Sequence, residues 1–286
     1  MAKNKFQLVD SLGVRYRPKA IKGIIGNKQV KDVVNGYFYS RKIAKSWLLF
    51  GESGAGKTSL ARIIARTINC QDLSEDNTPC GKCESCNLSL EAHPDITEIN
   101  GTAYGKIETS RSLINSSVYN PHFNFKVFII DEVQGLSNSA KEALLKPFEE
   151  PPAKTVWMVC TTEPECIPYT VRGRCVSLNL KYPEVDEVKR FLFRVAKKEY
   201  TSLQVNLLKP HLKYIVESCF SQPRLSLVNM EKIAMVIKAN KNVTKDNVKD
   251  AIDLNLGNMF ELDQQAMRFI LSLIQYKARI PLVRYA

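Results

Sequence analysis

Two spacing patterns of apolar residues alternate along the chain up to about residue 180. Short, nearly uninterrupted apolar runs are separated by stretches in which apolar side chains recur every three or four positions. The first pattern is typical of strands buried inside a parallel sheet, and the second of the amphipathic helices that cover such a sheet. The alternation therefore predicts an α/β fold with a parallel sheet flanked by helices. The predicted strands are SWLLF (46–50), KVFIID (126–131) and TVWMVCTT (155–162).

The stretch after the first strand is the clearest predicted helix. In TSLARIIARTIN (58–69), Leu60 and Ile64 lie on one face at helical spacing, whereas Arg62 and Arg66 lie on another. This spacing indicates an amphipathic helix with one apolar side.

Beyond Lys181 the strand-like runs stop and only helical patterns remain. The predicted helices are 186–200, 225–240 and 244–256. We therefore expect three parts along the chain. They are an α/β domain over 1–180, a small all-helical lid over 181–258 and a short helical tail over 259–286.

Length, composition and charge limit the class of protein. The 286 residues suffice for one large domain with small additions. The polar start of the chain lacks the pattern of a secretory signal, and no apolar run is long enough to span a membrane, so a cytoplasmic location is the default. The formal net charge of +12, from 41 Lys and Arg against 29 Asp and Glu, favours a polyanionic partner, with a merely basic soluble protein as the alternative.

The stretch GESGAGKT (51–58) matches the phosphate-binding pattern G-x-x-x-x-G-K-[ST]. Its place between a strand and a helix makes a glycine-rich turn without a ligand the weaker alternative. Lys57 is expected to reach the outer phosphates of a nucleotide, and the Thr58 hydroxyl to bind Mg²⁺. The second predicted strand supplies acidic residues at its end: Asp131 is expected to hold the magnesium shell, and Glu132 to orient or deprotonate the attacking water.

Two later segments add candidate side chains. CTTEP ends the third predicted strand with Thr161 and Thr162, and either hydroxyl could hydrogen-bond the attacking water or the γ-phosphate. VRGRC carries Arg172 and Arg174, to which the residues alone assign no role.

Four of the eight cysteines are clustered, namely Cys70, Cys80, Cys83 and Cys86. Their spacing suits one tetrahedral Zn²⁺, and four thiolates leave no open coordination position, so a structural ion is expected. An iron–sulfur cluster is the competing interpretation. A disulfide scaffold does not suit a chain of this size without an export signal. His93 lies nearby in the sequence and is expected to be a bystander.

Several segments of the chain, spanning about residues 14–258, resemble the bacterial DNA polymerase III gamma/tau subunits, the ATPases of the sliding-clamp loader within the AAA+ superfamily. A phosphate loop followed this soon by four clustered cysteines is unusual, and the LLK-x-x-EEPP stretch is nearly as distinctive. The resemblance rests on VRYRPK (14–19), IIGNKQV (24–30), GESGAGKTS (51–59), NCQDLSEDNTPCGKCESC (69–86), KVFIIDEVQGLSNSAKEALLKPFEEPP (126–152) and CTTEP (160–164).

This resemblance implies an AAA+ domain with an inserted Cys₄ zinc knuckle (70–86), followed by the helical lid. Thr162 would be the first sensor of the nucleotide, and Arg224 in SQPRLSL would be the second sensor, carried by the lid. Arg174 would reach into the ATP site of the neighbouring subunit. The nucleotide-binding residues that it implies are Tyr16, Arg17 and Pro18 near the adenine or its phosphates, Ile25 and Gly26 around the base, and Glu52, Ser53, Gly54, Ala55, Gly56, Lys57, Thr58 and Ser59 in the phosphate loop.

The chain departs from the family pattern in four places. Gly173 replaces the family's Ser before the arginine finger, which makes Arg172 a rival for that role. Gln134 in DEVQ stands where the family has His, a change expected to matter little for the chemistry. Pro147 lies inside the helix after the acidic pair and predicts a bend or an early end. The family's collar domain needs far more residues than 259–286, so we expect a reduced, phage-type version or a truncated chain.

The predicted function is that of an ATPase subunit of a clamp loader, with ATP, Mg²⁺ and Zn²⁺ as cofactors. ATP binding would arrange several subunits around an open ring clamp and primer–template DNA, and hydrolysis would release the closed ring. The expected partners are other loader subunits, the sliding clamp and DNA, with no membrane. DNA contact is expected at the backbone, with Lys106 and the helix beginning near Thr109 as candidates.

Three other interpretations remain open at the level of the sequence. The chain could be a non-hydrolysing, stator-like subunit of the same loader, related to delta prime. It could be an AAA+ remodeller or helicase acting directly on DNA. It could also be a zinc-knuckle interaction module whose ATP site is only structural.

Overall fold

A five-stranded sheet forms the centre of the computed structural model, which describes residues 8–239. The strands are β1 Ser46–Gly51, β2 Ile96–Asn100, β3 Lys126–Asp131, β4 Thr155–Thr161 and β5 Val176–Leu180. Neighbouring strands run parallel in the order β2-β3-β4-β1-β5. The predicted α/β fold with a parallel sheet is therefore confirmed.

The three predicted strands are the central ones of the sheet. They are apolar almost throughout because both faces are covered, and Trp47 and Trp157 are completely buried. The third ends at Thr161, one residue earlier than predicted. The hydrophobic pattern does not predict the edge strands β2 and β5, because each is short and only partly buried, so that polar residues interrupt the apolar ones.

The parallel register brings the carboxyl ends of the strands to one edge of the sheet. Gly51 pairs with Leu180, Phe50 pairs with Thr161, and β3 ends at Asp131. In open parallel sheets, ligands bind in the crevice outside this edge. The phosphate loop and the acidic pair follow β1 and β3 directly, so both face that crevice.

Helices cover both faces of the sheet and form the rest of the described chain. The α-helices are α1 Leu12–Arg15, α2 Lys28–Tyr39, α3 Lys57–Asn69, α4 Glu84–Asn87, α5 Ile107–Ser117, α6 Asn138–Glu149, α7 Tyr169–Arg172, α8 Val185–Glu199, α9 Ser202–Leu208, α10 Leu212–Ser218 and α11 Pro223–Ala239. Short 3₁₀ helices span Ile21–Gly23, Val133–Gly135, Pro164–Cys166 and Lys209–His211. Across residues 8–239, no helix combines the length and the apolar character that crossing a bilayer would require.

Two apolar layers sandwich the sheet. On one face, α2 and α3 contribute buried side chains such as Val34 and Leu60. On the other face, α5 and α6 contribute Leu113 and Leu144, which belong to the same cluster as Trp157. Helix α3 agrees with the pattern at 58–69. It runs from the phosphate loop at the sheet edge to the segment that follows Asn69, with buried side chains along its length.

The lid helices α8 to α11 surround a core of their own. Its buried residues include Val188, Leu192, Ile215 and Met230. Leu12 from α1, near the start of the described chain, is completely buried in this same core. Helix α1 therefore packs on the lid, whereas α2, which also precedes the sheet, packs on the sheet.

Helices α8 and α11 agree with the patterns at 186–200 and 225–240. The helix predicted at 244–256, the end of the lid at 258 and the tail at 259–286 lie outside the described residues.

Helix α6 continues through Pro147 and ends at Glu149, so the expected early end at the proline does not occur. Proline lacks only the N–H that would bond to the carbonyl one turn earlier, and the position lies in the last turn, where little helix remains to be disrupted. Pro147 is buried, as is the adjacent Phe148.

Candidate nucleotide site and cysteine cluster

The loop between β1 and α3 wraps around a buried lysine. Gly51, Gly54 and Gly56 have positive φ angles of 138°, 78° and 104°. At Gly51 a Cβ atom would lie 2.0 Å from the carbonyl oxygen of Leu180, so only glycine fits. Lys57, 4% exposed, donates from Nζ to the carbonyl oxygens of Gly51 at 2.8 Å and of Glu52 at 3.0 Å.

Lys57 is therefore an ammonium group held without a carboxylate partner. Its burial lowers its pKa below the ordinary value, while the nearby Glu132 carboxylate opposes that change. A buried cation whose hydrogen bonds go to carbonyl oxygens is well suited to an anionic ligand.

Thr58 and Asp131 meet across the sheet edge. The Thr58 hydroxyl donates to Oδ2 of Asp131 at 2.7 Å, although the two residues are 73 positions apart. A hydroxyl and a carboxylate oxygen at this separation are the hard oxygen donors that Mg²⁺ prefers, so the pair fits the predicted ion.

Glu132 adopts a left-handed backbone conformation, with φ 50° and ψ 50°. Its surroundings explain how this uncommon conformation is held: Gly135 N donates to Glu132 O at 2.9 Å, and a Cβ atom on Gly101 would lie 2.5 Å from the same oxygen. The Glu132 carboxylate accepts a hydrogen bond from the side-chain amide of Gln134. That amide also contacts Thr161 and Thr162 at the end of β4.

A cavity of about 280 Å³ lies between the sheet edge and the lid. Most of the predicted nucleotide-binding residues line this one space. They are Tyr16, Arg17, Pro18, Ile25, Ser53, Gly54, Ala55, Gly56, Lys57, Thr58, Ser59, Asp131, Glu132 and Arg224.

Three predicted residues lie outside the cavity wall. Gly26 packs against the start of the lid, where its Cβ position would be 3.0 Å from Pro183 Cβ. Glu52 contributes its carbonyl oxygen to Lys57 rather than its side chain to the cavity. The Thr162 hydroxyl accepts a hydrogen bond from Gln134 Nε2 at 3.1 Å and does not line the cavity.

The cavity collects positive charge. The pKa of Arg17 is lowered, first by burial and then by the neighbouring guanidinium groups of Arg62 and Arg224. Its Nε donates to the Ser59 hydroxyl at 3.1 Å, so no carboxylate neutralises it directly. Arg62, in contrast, is paired with Glu98 through two bonds of 2.6 and 2.5 Å. Arg17, Lys57 and Arg224 together therefore favour a polyanionic ligand.

Two sets of contacts tie this cavity to the lid, and the sequence patterns predict neither. The Tyr182 hydroxyl donates to the carbonyl oxygen of Ser53 in the phosphate loop at 2.7 Å, and it accepts from Gln222 Nε2 at 2.8 Å. The Tyr16 hydroxyl donates to Glu199 at 2.7 Å, and burial with this bond raises the pKa of Tyr16 to about 12. No sequence signal marks these pairs, because the partners are remote along the chain.

The two candidate arginines of the VRGRC segment do not line the cavity. Arg174 is exposed and donates from Nη1 to Oε1 of Glu149 at 2.6 Å. Arg172 is half-buried beside the ring of Tyr169, 5.8 Å from its centre, and its Nε is buried without a partner among the described residues.

The predicted DNA-contacting residues lie at the start of α5. Lys106 is exposed and comes directly before that helix, which begins at Ile107, two residues before Thr109.

The four clustered cysteines come together directly after α3. The Sγ atoms of Cys70, Cys80, Cys83 and Cys86 all lie within 4.8 Å of one another. Tetrahedral coordination with bonds of about 2.3 Å places the sulfur atoms about 3.8 Å apart, which lies within this limit. Nothing else among residues 8–239 forms a comparable group of potential metal ligands.

The protonation preferences of these thiols differ. Backbone N–H groups of Lys82 and Cys83 lower the pKa of Cys80 to about 6, whereas burial raises the pKa of Cys86 to about 12. Burial also raises the pKa of Cys70. Four thiolates at this separation need a cation between them to coexist, so the donor set fits a bound metal ion.

His93 lies beside the cluster and not within it. Its Nδ1 accepts from the backbone N–H of Asp95 at 3.1 Å, so Nε2 carries the proton and donates to the Ser85 hydroxyl at 3.0 Å. Burial lowers the pKa of His93 and favours this neutral form. The imidazole therefore stabilises α4 (Glu84–Asn87) through its hydrogen bond to Ser85.

The matching family model and two curated relatives of this chain are all described as DNA polymerase III subunits. Residues 26–184 match the family model described as DNA polymerase III, delta subunit. The chain is 32% identical to DNA polymerase III subunit gamma of Buchnera aphidicola (subsp. Schizaphis graminum), over 85% of this chain and 66% of that protein. It is 32% identical to DNA polymerase III subunit tau of Escherichia coli, over 69% of this chain and 31% of that protein. The chain thus spans less than two thirds of the length of these relatives.

Among solved structures, a similar one is the RuvB Holliday junction branch migration motor of Thermotoga maritima. The TM-score is 0.59, with 20% sequence identity over 84% of this chain and 72% of that chain. At this identity the likeness shows a shared fold and no more.

Proposed function

Because this chain belongs to the DNA polymerase III family described by the delta-subunit model, and is related to gamma and tau subunits, we propose that it is an ATPase subunit of a DNA sliding-clamp loader. One observation carries the proposal. Lys57, the Thr58–Asp131 pair, Glu132 and the lid residue Arg224 converge on one positively charged cavity of about 280 Å³. These residues come from three separate segments of the chain, and each supplies a group that phosphoryl transfer requires.

Each group has a definite task in hydrolysis. Lys57 exchanges the carbonyl oxygens of Gly51 and Glu52 for the outer phosphate oxygens. Thr58 and Asp131 hold Mg²⁺, which neutralises charge on the phosphates when it is bound.

The remaining residues place the nucleotide and its attacking water. Glu132 orients or deprotonates the water, and Thr162 acts as the first sensor. Arg224 acts as the second sensor and connects the phosphates to the lid. Tyr16 and Ile25 line the side of the cavity that suits the base, since both also pack against the lid core.

The cysteine cluster most simply holds one Zn²⁺. Cys70, Cys80, Cys83 and Cys86 supply four sulfur donors and leave no free position for substrate. Four irons, each with its own thiolate, would hold the sulfur atoms further apart than 4.8 Å. The ion is therefore structural.

The partners follow from the family. Several subunits hold an open ring clamp and grip primer–template DNA by its backbone, and hydrolysis releases the closed ring. Lys106, exposed before α5, is a contact to phosphate, which positions DNA without reading its sequence. The net charge of +12 suits this polyanionic partner.

Arg174 completes the site of the neighbouring subunit. It is exposed, lies outside its own cavity and is held by Glu149 at 2.6 Å, all of which suits a side chain that acts on another protomer. Arg172 suits this role less well, because its guanidinium is half-buried against Tyr169.

The test is ATP turnover by the assembled loader with clamp and primed DNA. Arg174→Ala should leave ATP affinity unchanged and reduce stimulated turnover by about 10³-fold or more. Arg190→Ala, which removes an exposed arginine of α8, is the matched control and should change neither quantity. A loss seen with Arg172→Ala but not with Arg174→Ala would transfer the role to Arg172, and no stimulated turnover in the wild-type assembly would refute the proposed function.

A non-hydrolysing stator is the second candidate, since the matching family model is described as a delta subunit. The complete phosphate loop and the adjoining acidic pair argue against it. Turnover that is equal in the wild type and in Glu132→Gln would favour the stator.

A further inference from the structure

Gln134 is placed to act on two residues of the proposed site at once. It follows Glu132 by two positions, within the 3₁₀ turn Val133–Gly135. The left-handed backbone of Glu132 reverses the chain there, and the side chain of Gln134 consequently reaches the end of β4.

Both ends of the Gln134 amide have partners. Nε2 donates to the Glu132 carboxylate and, at 3.1 Å, to the Thr162 hydroxyl. Oε1 accepts from the Thr161 hydroxyl at 2.8 Å, and Thr161 is completely buried. The Thr161 oxygen in turn accepts from the Glu163 N–H at 2.9 Å. The amide is therefore fixed in orientation, with its nitrogen directed at Glu132 and Thr162.

We propose that Gln134 is a positioning residue for ATP hydrolysis, which holds the Glu132 carboxylate and the Thr162 hydroxyl in a fixed relation to each other. This inference rests on the proposed function, in which Glu132 acts on the attacking water and Thr162 is the first sensor. A carboxylate at the end of a flexible side chain samples several rotamers, and a single strong donor from a fixed amide selects one of them. Gln134 itself does not line the cavity, so it does not contact the nucleotide.

A distinctive kinetic pattern follows from this arrangement. Gln134→Leu keeps the volume but removes both donors, so Glu132 and Thr162 lose their common anchor. The affinity for ATP should stay the same, because the phosphate contacts are unchanged, while kcat should fall by about 10-fold to 10²-fold. Gln134→His, whose ring N–H can donate to the carboxylate, should recover part of the loss.

The experiment measures ATP Kd and kcat for the wild-type chain, both Gln134 variants and a control in the assembled loader. Gln204→Leu is the matched control, because Gln204 is also a half-buried glutamine that makes hydrogen bonds, but caps helix α9 in the lid. It should lower thermal stability without changing kcat. Thr161→Val, which removes the hydroxyl that holds Oε1, should lower kcat in the same direction, and its effect should not add to that of Gln134→Leu.

The outcomes separate this inference from the proposed function. Absence of turnover in the wild type defeats the proposed function. An active wild type with an equally active, folded Gln134→Leu variant defeats only the inference. Higher turnover in Gln134→Leu also overturns it, since the amide would then restrain Glu132 instead of placing it. If Gln134→Leu does not fold, Thr161→Val decides by the same criteria.

Position 134 is therefore more important to the candidate site than the sequence alone indicates. The replacement of the family's His by Gln is expected from sequence to matter little, but the amide bonds to three side chains of the candidate site.

Discussion

The two ends of helix α3 carry sites of opposite character. At its first residue, Lys57, lies an accessible cavity lined by the basic side chains of Arg17, Lys57 and Arg224 and by the acidic side chains of Asp131 and Glu132. Directly after its last residue, Asn69, Cys70 begins a group of four sulfur atoms within 4.8 Å of one another. The first site suits the exchanging nucleotide that we propose, and the second suits the permanently bound ion that we propose.

The two sites differ in which parts of the chain contribute their residues. The nucleotide cavity is assembled from segments before the sheet, at the ends of β1 and β3 and in the lid, so its shape depends on the fold and on the lid. The cysteine cluster needs only one short segment and a one-turn helix. A ligand that binds and leaves a site between two units can move them relative to each other, whereas an ion enclosed by one segment can only stabilise it.

Loss of the proposed metal ion should produce the largest effect. It should disrupt the segment that holds the four cysteines and leave the nucleotide cavity intact. Structural zinc sites contribute apparent binding free energies of about 10–16 kcal/mol. Cys83→Ser should therefore lose the ion and the amide-exchange protection of residues 70–93. Because Arg66 on α3 bonds to the carbonyl oxygens of Cys86 and Leu88, the last turn of α3 should lose some protection too. The ATP affinity should change by no more than about fivefold, since the phosphate loop lies at the other end of the helix.

Metal content per chain, hydrogen exchange and ATP binding test this expectation together. Cys175→Ser, at a half-buried cysteine outside the cluster, is the control and should retain the ion. Full metal content in Cys83→Ser, or loss of ATP binding along with the metal, would contradict the separation of the two sites.

The same contrast explains how much of each site the sequence predicts. The cysteine cluster follows from spacing alone, because its ligands are neighbours in the chain. The central strands and the loop around Lys57 also follow, since apolar runs and a local motif mark them. The edge strands β2 and β5 do not, because they are short and only half-covered.

The wall of the cavity is harder to predict. Arg17 and Arg224 are more than two hundred positions apart, and only the family resemblance proposes that they meet. Tyr182, which bonds to the phosphate loop, and Gln222, which bonds to Tyr182, carry no local signal at all. Their roles depend on how the lid packs, which no short stretch of sequence encodes.

Glu132→Gln should have the next largest effect and should break the cavity's chemistry without altering its shape. Loss of a general base lowers kcat by about 10²–10⁴-fold, while the amide occupies the same space. ATP affinity and metal content should remain those of the wild type. Steady-state turnover and equilibrium ATP binding measure the two quantities separately.

Glu165→Gln serves as the control, because Glu165 is an exposed acid just after β4. It should leave turnover unchanged. If Glu132→Gln hydrolyses ATP as fast as the wild type, Glu132 is not the base and the cavity only binds nucleotide.

Tyr182→Phe should have the smallest effect. It tests whether nucleotide binding in the cavity depends on the lid, whereas metal binding by the cysteine cluster should not. The substitution keeps the ring but removes the hydroxyl that joins Ser53 in the phosphate loop to Gln222 before α11. A hydrogen bond of this kind contributes about 0.5–1.5 kcal/mol, so ATP should bind about two- to tenfold more weakly. Metal content and the protection of residues 70–93 should not change. Tyr214→Phe, at an exposed tyrosine of α10, is the control and should leave ATP affinity as it was. Equal ATP affinity in Tyr182→Phe and the wild type would mean that the bond between loop and lid is not kept when nucleotide binds, and the lid would then act on the cavity through Arg224 alone.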